Sequence, residues 1–203
     1  IWGTGGIERD ARGLPAYNFY RDHANGQGTY QMGLRMPWPA AGPYVLYGGP
    51  TKYSHLARAE RFTQVWLEEQ GYAYDLVSDL DLHRDPSLPR GYAAMLVTGH
   101  NEYWSLPMYR GTDAYLRAGG NLVVLSGNSV FWRVSFNAAG TVMECRKADA
   151  AGQRVPAARR GETWHSQDGL RGGMLRECGF PGVDLIALDC LGFNSPGAPE
   201  QFG

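Results

Sequence analysis

The apolar residues of this chain fall into short continuous runs that alternate with stretches of helical spacing. The clearest runs cover residues 92–98 and 122–125, where polar residues are nearly absent. Residues 54–71 and 105–116 instead place apolar side chains at three- and four-residue intervals, which is typical of an amphipathic helix. Continuous apolar strands separated by such helices indicate a mostly parallel sheet covered on both faces, in a doubly wound α/β fold.

Shorter segments complete the predicted order of elements. Four of them are expected to be strands: residues 44–47, 74–77, 141–146 and 183–188. Residues 79–82 are expected to form a loop. Residues 1–43 are rich in glycine, proline, tyrosine and asparagine, so we expect an irregular N-terminal segment that packs on the core. Residues 44–203 then form the α/β domain, and its loop-like glycine-rich end predicts a longer polypeptide.

Composition narrows the classes of function. The 203 residues carry 19 basic and 20 acidic side chains, which excludes the electrostatic footprint of a dedicated nucleic-acid binder. The apolar runs are strand-sized and far shorter than the roughly 18 residues of a membrane helix. Cys145, Cys178 and Cys190 are too few for a disulfide scaffold, so we expect a cytoplasmic protein.

Two polar loops follow predicted strands and are the candidate site. Ligands of open α/β sheets bind beyond the carboxyl ends of the strands, and both loops are expected at the same edge. In the first loop, His100 and Glu102 can supply a metal ligand, a general base or both, or can merely cap the next helix. In the second loop, Asn128 can orient a carbonyl or an oxyanion, or can simply form the turn.

Several well-known catalytic arrangements are missing from the sequence. Residues 98–104 contain no cysteine, so the thiol nucleophile of glutamine amidotransferases is excluded. There is no Gly-x-Ser-x-Gly elbow, no phosphate-binding Walker loop and no cysteine–histidine spacing typical of zinc sites. The sequence therefore disfavours a serine hydrolase, a nucleotide hydrolase and a zinc protein of the usual types.

Other residues with chemical potential are better explained without a site. By its position alone, Tyr17 is expected to pack at the rim of the fold. Three aromatic residues are expected in the core: Trp104, Phe131 and Trp132. Four others have a spacing similar to a calcium loop, but the central glycine is missing and a solvated loop is expected: Asp79, Asp81, His83 and Asp85.

Several segments, in order along the chain, resemble the large subunit of N,N-dimethylformamidase and its relatives. These segments include Ala-Tyr-Asn at 16–18, Trp-Leu-Glu at 66–68, Gly-His-Asn-Glu-Tyr-Trp-Ser at 99–105, Gly-Asn at 127–128 and Phe-Trp-Arg at 131–133. The most specific element is the His-x-Glu-Tyr-Trp-Ser segment with the Gly-Asn turn downstream. The resemblance covers most of residues 16–193.

This resemblance implies a three-layer α/β domain related to class I glutamine amidotransferases, with a mononuclear iron in place of the cysteine chemistry. In that family two tyrosines and a glutamate hold the iron. Glu102 matches the glutamate and Tyr17 matches one tyrosine, while His100 and Asn128 match residues of the substrate pocket. The second tyrosine and a further catalytic glutamate are expected outside this chain, upstream and downstream respectively.

The resulting hypothesis is iron-dependent hydrolysis of a small amide to a carboxylate and an amine. Phenolate and carboxylate are hard oxygen donors that suit ferric iron (Fe3+). The expected partners are a small amide substrate, a small second subunit and further copies of the chain in a homo-oligomer, without nucleic acid or membrane. Two alternatives stay open: a non-catalytic amidotransferase-like module that binds a ligand or a subunit, and an enzyme that uses zinc or manganese.

Overall fold

The computed structural model of the chain describes residues 30–35, 59–146 and 164–189. Its strands are β1 (Gln31–Gly33), β2 (Ala94–His100), β3 (Tyr103–Ser105), β4 (Asn121–Gly127), β5 (Trp132–Phe136) and β6 (Val142–Cys145). Its helices are α1 (Arg61–Glu69), α2 (Asp79–Arg84), α3 (Leu106–Arg117) and α4 (Val183–Ile186), with 3₁₀ turns at Leu88–Gly91 and Leu175–Cys178. This part of the protein has a mixed α/β architecture.

The parallel strands form one ribbon that is interrupted in the middle. β2 pairs with β4 in parallel, from Ala94 opposite Asn121 to His100 opposite Gly127. β3 follows β2 almost directly and pairs in parallel with β5, which follows β4. α3 crosses from the end of β3 to the start of β4. The ribbon is broken at residues 101–102 on one strand and at 128–131 on the other, and this break holds the candidate site.

β6 and β1 extend the ribbon on the side of β5. Together with β3 and β5 they form a four-stranded sheet in the order β1-β6-β5-β3, separate from the β2–β4 pair. The β1–β6 and β5–β6 pairings in it are antiparallel. A tight turn causes the antiparallel β5–β6 pairing, and in it the Asn137 side chain accepts the N–H groups of Thr141 and Val142 at 2.7 and 2.9 Å. A connection this short joins only antiparallel strands. The described strands therefore form one parallel two-stranded sheet and one mixed four-stranded sheet, whereas a single mostly parallel sheet was expected.

Two buried apolar clusters support the ribbon. The first lies under α3 and includes Trp104, Met108 and Leu175. The second lies on the β5–β6 side and includes Trp132 and Cys145. Phe131 is partly buried against the second cluster. The expected core positions of the three aromatic residues 104, 131 and 132 are confirmed.

Several predicted elements are confirmed with small shifts of their ends. The strand expected at 92–98 is β2, the strand at 122–125 is the centre of β4, and the strand at 141–146 contains β6. The helix expected at 105–116 is α3, and Ser105 is its N-cap. α1 occupies the C-terminal part of the predicted helix 54–71. The strand expected at 44–47 lies outside the described residues.

The expected loop at 79–82 is instead the first part of α2. Ser78 begins this helix with a capping box, in which its Oγ accepts the Asp81 N–H and its own N–H donates to Asp81 Oδ2. A capping box satisfies two backbone donors that a short helix otherwise leaves exposed. Leu82 points into the first core cluster, so burial holds the helix in place. The alternating charged and apolar residues of this stretch obscured the helix.

Two predicted strands are wrong. Residues 72–78 have no regular secondary structure and pair with no described strand, and Leu76 and Val77 are exposed. An apolar run becomes a strand only where a neighbouring strand accepts its backbone hydrogen bonds. The strand expected at 183–188 is α4, in which Leu185 enters the core. A short apolar run does not distinguish a buried strand from one helical turn.

Some surfaces of the described part remain apolar. Alternate residues of β4 are exposed, including Val123 and Leu125, so only one face of this strand is covered by the described residues. This differs from the expected burial on both faces. No helix in the described ranges combines the length and the apolar character that a membrane crossing requires.

Candidate active site

The break in the ribbon brings the two predicted loops together. His100 is the last residue of β2 and lies opposite Gly127, the last residue of β4. Directly after this pair, the Asn101 N–H donates to Ser126 Oγ at 2.8 Å. The expectation that both loops lie at the same edge of the sheet is confirmed, because parallel strands in register end side by side.

Backbone hydrogen bonds then hold the two loops against each other. The N–H of Val130 donates to the Asn101 carbonyl at 3.0 Å. The N–H groups of Phe131 and Trp132 both donate to the Glu102 carbonyl, at 3.0 and 2.8 Å. We call these three bonds the loop clamp. They fix the backbone of Glu102 relative to the segment that carries Asn128.

The downstream loop has an unusual backbone conformation. Asn128 and Val130 have positive φ angles of 47° and 54°. Asparagine tolerates this region, whereas a β-branched valine rarely adopts it. Val130 is only 2% exposed, and its burial together with the loop clamp maintains the conformation. Backbone strain of this kind accumulates at functional sites, where the surrounding structure enforces it.

His100 and Glu102 form the polar centre of the break. The carboxylate Oε2 of Glu102 lies 3.4 Å from Nε2 of His100. The Glu102 side chain is 2% exposed, while that of His100 is 20% exposed. A buried carboxylate requires nearby donors or a cation to remain ionised. The pair therefore joins a shielded oxygen donor to an imidazole that reaches the surface.

Asn128 contributes a polar atom that the described part of the chain leaves unsatisfied. Its Oδ1 is buried and accepts no hydrogen bond from any described residue. Buried amide oxygens almost always have a partner, so this atom marks a position where a further group belongs. The structure thus brings His100, Glu102 and Asn128 to one break, as the sequence predicted. Tyr17 lies outside the described residues.

The carboxylate of Glu60 lies beside Gly99, and the charge of Asp79 acts on it. Gly99 has φ +73°, and a Cβ atom there would lie 2.6 Å from Cγ of Glu60. Burial, followed by the charge of Asp79, raises the pKa of Glu60. Asp79 also accepts a hydrogen bond from the Asn101 side chain at 3.1 Å. The sequence pattern places Glu60 in a helix and Asp79 in a loop with calcium-like spacing, and neither placement points to this site.

These carboxylates do not complete a metal centre. In the ranges that the structure describes, no three or more His, Cys, Asp and Glu side chains are arranged to hold a metal ion. The ligand set implied by the resemblance contains one carboxylate and two phenolates, and only Glu102 of that set is described. Its buried oxygen atoms and the unpartnered Asn128 Oδ1 fit a hard cation with a polar substrate beside it.

Comparison with known proteins places this break in a family. A family profile described as "N,N-dimethylformamidase beta subunit-like, C-terminal" matches residues 12–183. The N,N-dimethylformamidase beta subunit of Paracoccus aminophilus is 30% identical over 169 residues, which cover 82% of this chain and 21% of that protein. The N,N-dimethylformamidase beta subunit of Alcaligenes sp is 29% identical over 159 residues, which cover 77% of this chain and 20% of that protein.

The chain spans about a fifth of the length of these curated relatives. The family match covers most of the chain, and it includes the break with His100, Glu102 and Asn128. The chain therefore belongs to the family of N,N-dimethylformamidase beta subunit-like C-terminal regions.

Proposed function

We propose that this chain provides part of the active site of an iron-dependent amidohydrolase that cleaves a small amide similar to N,N-dimethylformamide. The observation that carries the proposal is the buried carboxylate of Glu102 beside His100, with Asn128 in the facing loop, whose Oδ1 no described residue partners. Family membership supports the substrate class, since both curated relatives are named dimethylformamidase subunits. A class I glutamine amidotransferase-like three-layer fold belongs to the same proposal, and the parallel β2–β4 pair with its α3 crossover supports it.

Glu102 and Tyr17 are the proposed iron ligands of this chain. A buried carboxylate and a phenolate are hard oxygen donors, and they stabilise Fe3+ better than softer cations. Iron, when bound, polarises an amide carbonyl or lowers the pKa of a bound water. The role of the chain is to hold the carboxylate rigidly, which the loop clamp does through the Glu102 backbone.

His100 and Asn128 are the proposed catalytic residues. Hydrolysis adds a water oxygen to the carbonyl carbon, breaks the C–N bond, and moves one proton from water to the leaving amine. The imidazole of His100 is suited to carry this proton, because it lies between the buried Glu102 and the surface. The side-chain amide of Asn128 can donate a hydrogen bond to the developing oxyanion.

Iron content of Glu102 variants tests the ligand assignment. Glu102→Gln keeps the shape of the side chain but removes the charge, so the full polypeptide should lose its iron and its visible absorption from ferric tyrosinate. The matched control is Glu69→Ala, an exposed carboxylate at the end of α1, which should keep about one iron per chain. Circular dichroism confirms that both variants are folded.

Amine release from N,N-dimethylformamide tests the reaction. Wild-type protein that binds iron and releases dimethylamine supports the hydrolase, and Glu102→Gln should abolish that release. Full iron content in Glu102→Gln contradicts the ligand assignment. A colourless wild-type protein without amine release supports the non-catalytic module, whereas activity restored only by zinc or manganese supports the third alternative.

Partners and location complete the proposal. The curated relatives are named beta subunits, which supports a second subunit in the active assembly. A homo-oligomer is proposed on the glycine-rich and aromatic composition. A cytoplasmic location is proposed because the cysteine content is low. Size-exclusion chromatography coupled to light scattering measures the composition of the assembly.

A further inference from the structure

α2 contacts both ends of the segment that carries Glu102. Asp79 and His83 lie one turn apart, on the same face of this helix. Asp79 Oδ1 accepts a hydrogen bond from Asn101 Nδ2 at 3.1 Å. His83 Nδ1 lies 2.8 Å from Ser105 Oγ. The first and last residues of the segment 101–105 are therefore each hydrogen-bonded to a side chain of α2.

Ser105 is bonded on both sides. Its Oγ accepts the N–H of Met108 at 3.4 Å and forms a second hydrogen bond with His83 Nδ1. Burial, followed by the charge of Arg84, lowers the pKa of His83, which favours the neutral imidazole. The imidazole also packs on Phe136, with ring centroids 4.6 Å apart. His83 therefore joins α2 to the N-cap of α3 and to β5.

The contact at Asn101 reaches the loop clamp. The Asn101 carbonyl accepts the N–H of Val130 and the indole N–H of Trp104, each at 3.0 Å. Its own N–H donates to Ser126 Oγ. Asp79 thus holds the side chain of the residue whose backbone ties the two loops together.

α2 is itself firmly placed. Leu82, between the two contact residues, is 4% exposed and belongs to the first core cluster. Arg84 at the end of the helix donates to the Ala139 carbonyl at 3.3 Å. The capping box at Ser78 stabilises the start of the helix. A short helix anchored in this way can transmit a fixed position to the segment that it contacts.

We propose that α2 is a positioning element for the candidate active site, in which Asp79 and His83 hold the two ends of segment 101–105 and thereby set the position of Glu102. The consequence for catalysis rests on the proposed function, whereas the consequence for loop order does not. Asp79 acts through Asn101, and His83 acts through Ser105.

Hydrogen exchange of the full polypeptide tests the effect on loop order without any metal. Asp79→Ala and His83→Ala should each speed exchange of the amide protons at 130–132 about tenfold, the factor for losing one hydrogen bond. Asp79→Asn and His83→Asn keep an acceptor oxygen and should restore slow exchange. His83→Phe keeps a ring against Phe136 without an acceptor, so it should behave like His83→Ala.

Ser78→Ala is the matched control for loss of helix stability. It removes the cap of α2 but touches neither Asn101 nor Ser105, so it should speed exchange within 79–84 and leave 130–132 nearly unchanged. Equal exchange at 130–132 in Ser78→Ala and Asp79→Ala overturns the proposal, because α2 would then act only through its general stability.

Turnover and iron retention test the consequence for the site. In Asp79→Ala and His83→Ala, kcat should fall about tenfold with KM within twofold, and a competing chelator should remove iron faster. Unchanged kcat and iron retention despite faster exchange overturn the positioning role. If wild-type protein binds no iron and releases no amine, the proposed function fails, while the exchange comparison still decides whether α2 orders the segment.

Discussion

Two regions of this protein place a histidine near a buried glutamate, and they differ in what surrounds the pair. In the break, Glu102 lies beside His100, whose charge depends on a proton. On the β5–β6 face, Glu144 lies near His165 but is paired with Arg146, with Nη2 2.6 Å from Oε1. A guanidinium is permanently charged, so it holds Glu144 ionised at every physiological pH.

The second region, the Glu144 network, is bonded within the chain. Glu144 accepts hydrogen bonds from Arg146, from the N–H and Oγ of Ser166, and from the N–H of Gln167. Burial alone would raise the pKa of Glu144, but these donors hold it below its ordinary value. His165 Nδ1 lies 2.6 Å from Ser135 Oγ in the same network. These side chains fix the turn after residue 164 against regular strands.

The break differs in backbone as well as in charge. Its strands stop, and two of its non-glycine residues have positive φ. A buried carboxylate held by arginine and backbone donors stabilises the fold. A buried carboxylate beside an imidazole, without an arginine among the contacts described for it, is the feature on which the proposed site rests.

The largest effect is expected when a substitution breaks the Glu144 network. Glu144→Ala leaves the Arg146 guanidinium buried without its carboxylate, so the free energy of unfolding should fall by about 3–5 kcal/mol. Urea denaturation followed by circular dichroism measures the change. Glu144→Gln keeps the acceptor oxygen and should lose less. A loss under about 1 kcal/mol for Glu144→Ala would show that the network does not stabilise the fold.

A change in the break should affect activity while leaving stability intact. Asn128→Gly removes the amide side chain but suits the positive φ, so the free energy of unfolding should change by less than about 1 kcal/mol. If Asn128 stabilises the oxyanion, kcat for amide hydrolysis should fall about 10²-fold or more. Ser129→Ala, the neighbouring control, should retain most activity. Equal turnover in both variants would remove Asn128 from the catalytic residues.

The smallest expected effect is a loss of stability in mild acid. Burial, followed by the charge of Arg133, lowers the pKa of His165 to about 4. The unfolded chain binds this proton near pH 6.5. Stability from His165 is therefore complete above pH 6.5 and is lost as the pH falls toward 4. Between pH 7 and 5 we expect a loss of about 2 kcal/mol in the free energy of unfolding.

Denaturation curves at the two pH values measure this loss. His165→Asn keeps an acceptor for Ser135 but cannot titrate, so its stability should change less between pH 7 and 5. Equal pH dependence in wild type and His165→Asn would assign the acid sensitivity to other groups. His83, whose pKa is also lowered, is the next candidate.

The candidate site was predictable where it follows from local pattern. A buried apolar run followed by polar residues locates the end of a parallel strand. His100, Glu102 and Asn128 were therefore predicted to lie at one edge of the sheet. The supporting residues were not predictable in this way. Asp79 contacts Asn101 across 22 positions of the chain, and nothing in the local sequence around either residue indicates the other.

The same limit explains the errors in secondary structure. Residues 74–77 and 183–188 have apolar patterns compatible with strands, but only the presence of a neighbouring strand decides between strand, helix and extended chain. β3 and β5 escaped prediction for the converse reason. Each is short, and each is a strand because the other lies beside it.

The sequence by itself determined the α/β character, the helix α3, the strands β2 and β4, and the family to which the chain belongs. Those features depend on periodicity, caps and motifs, which are local. The tertiary structure decided the break in the ribbon, the loop clamp, the left-handed Val130 and the contacts of α2. Each of these depends on hydrogen bonds and burial between distant segments, which exist only once the chain has folded.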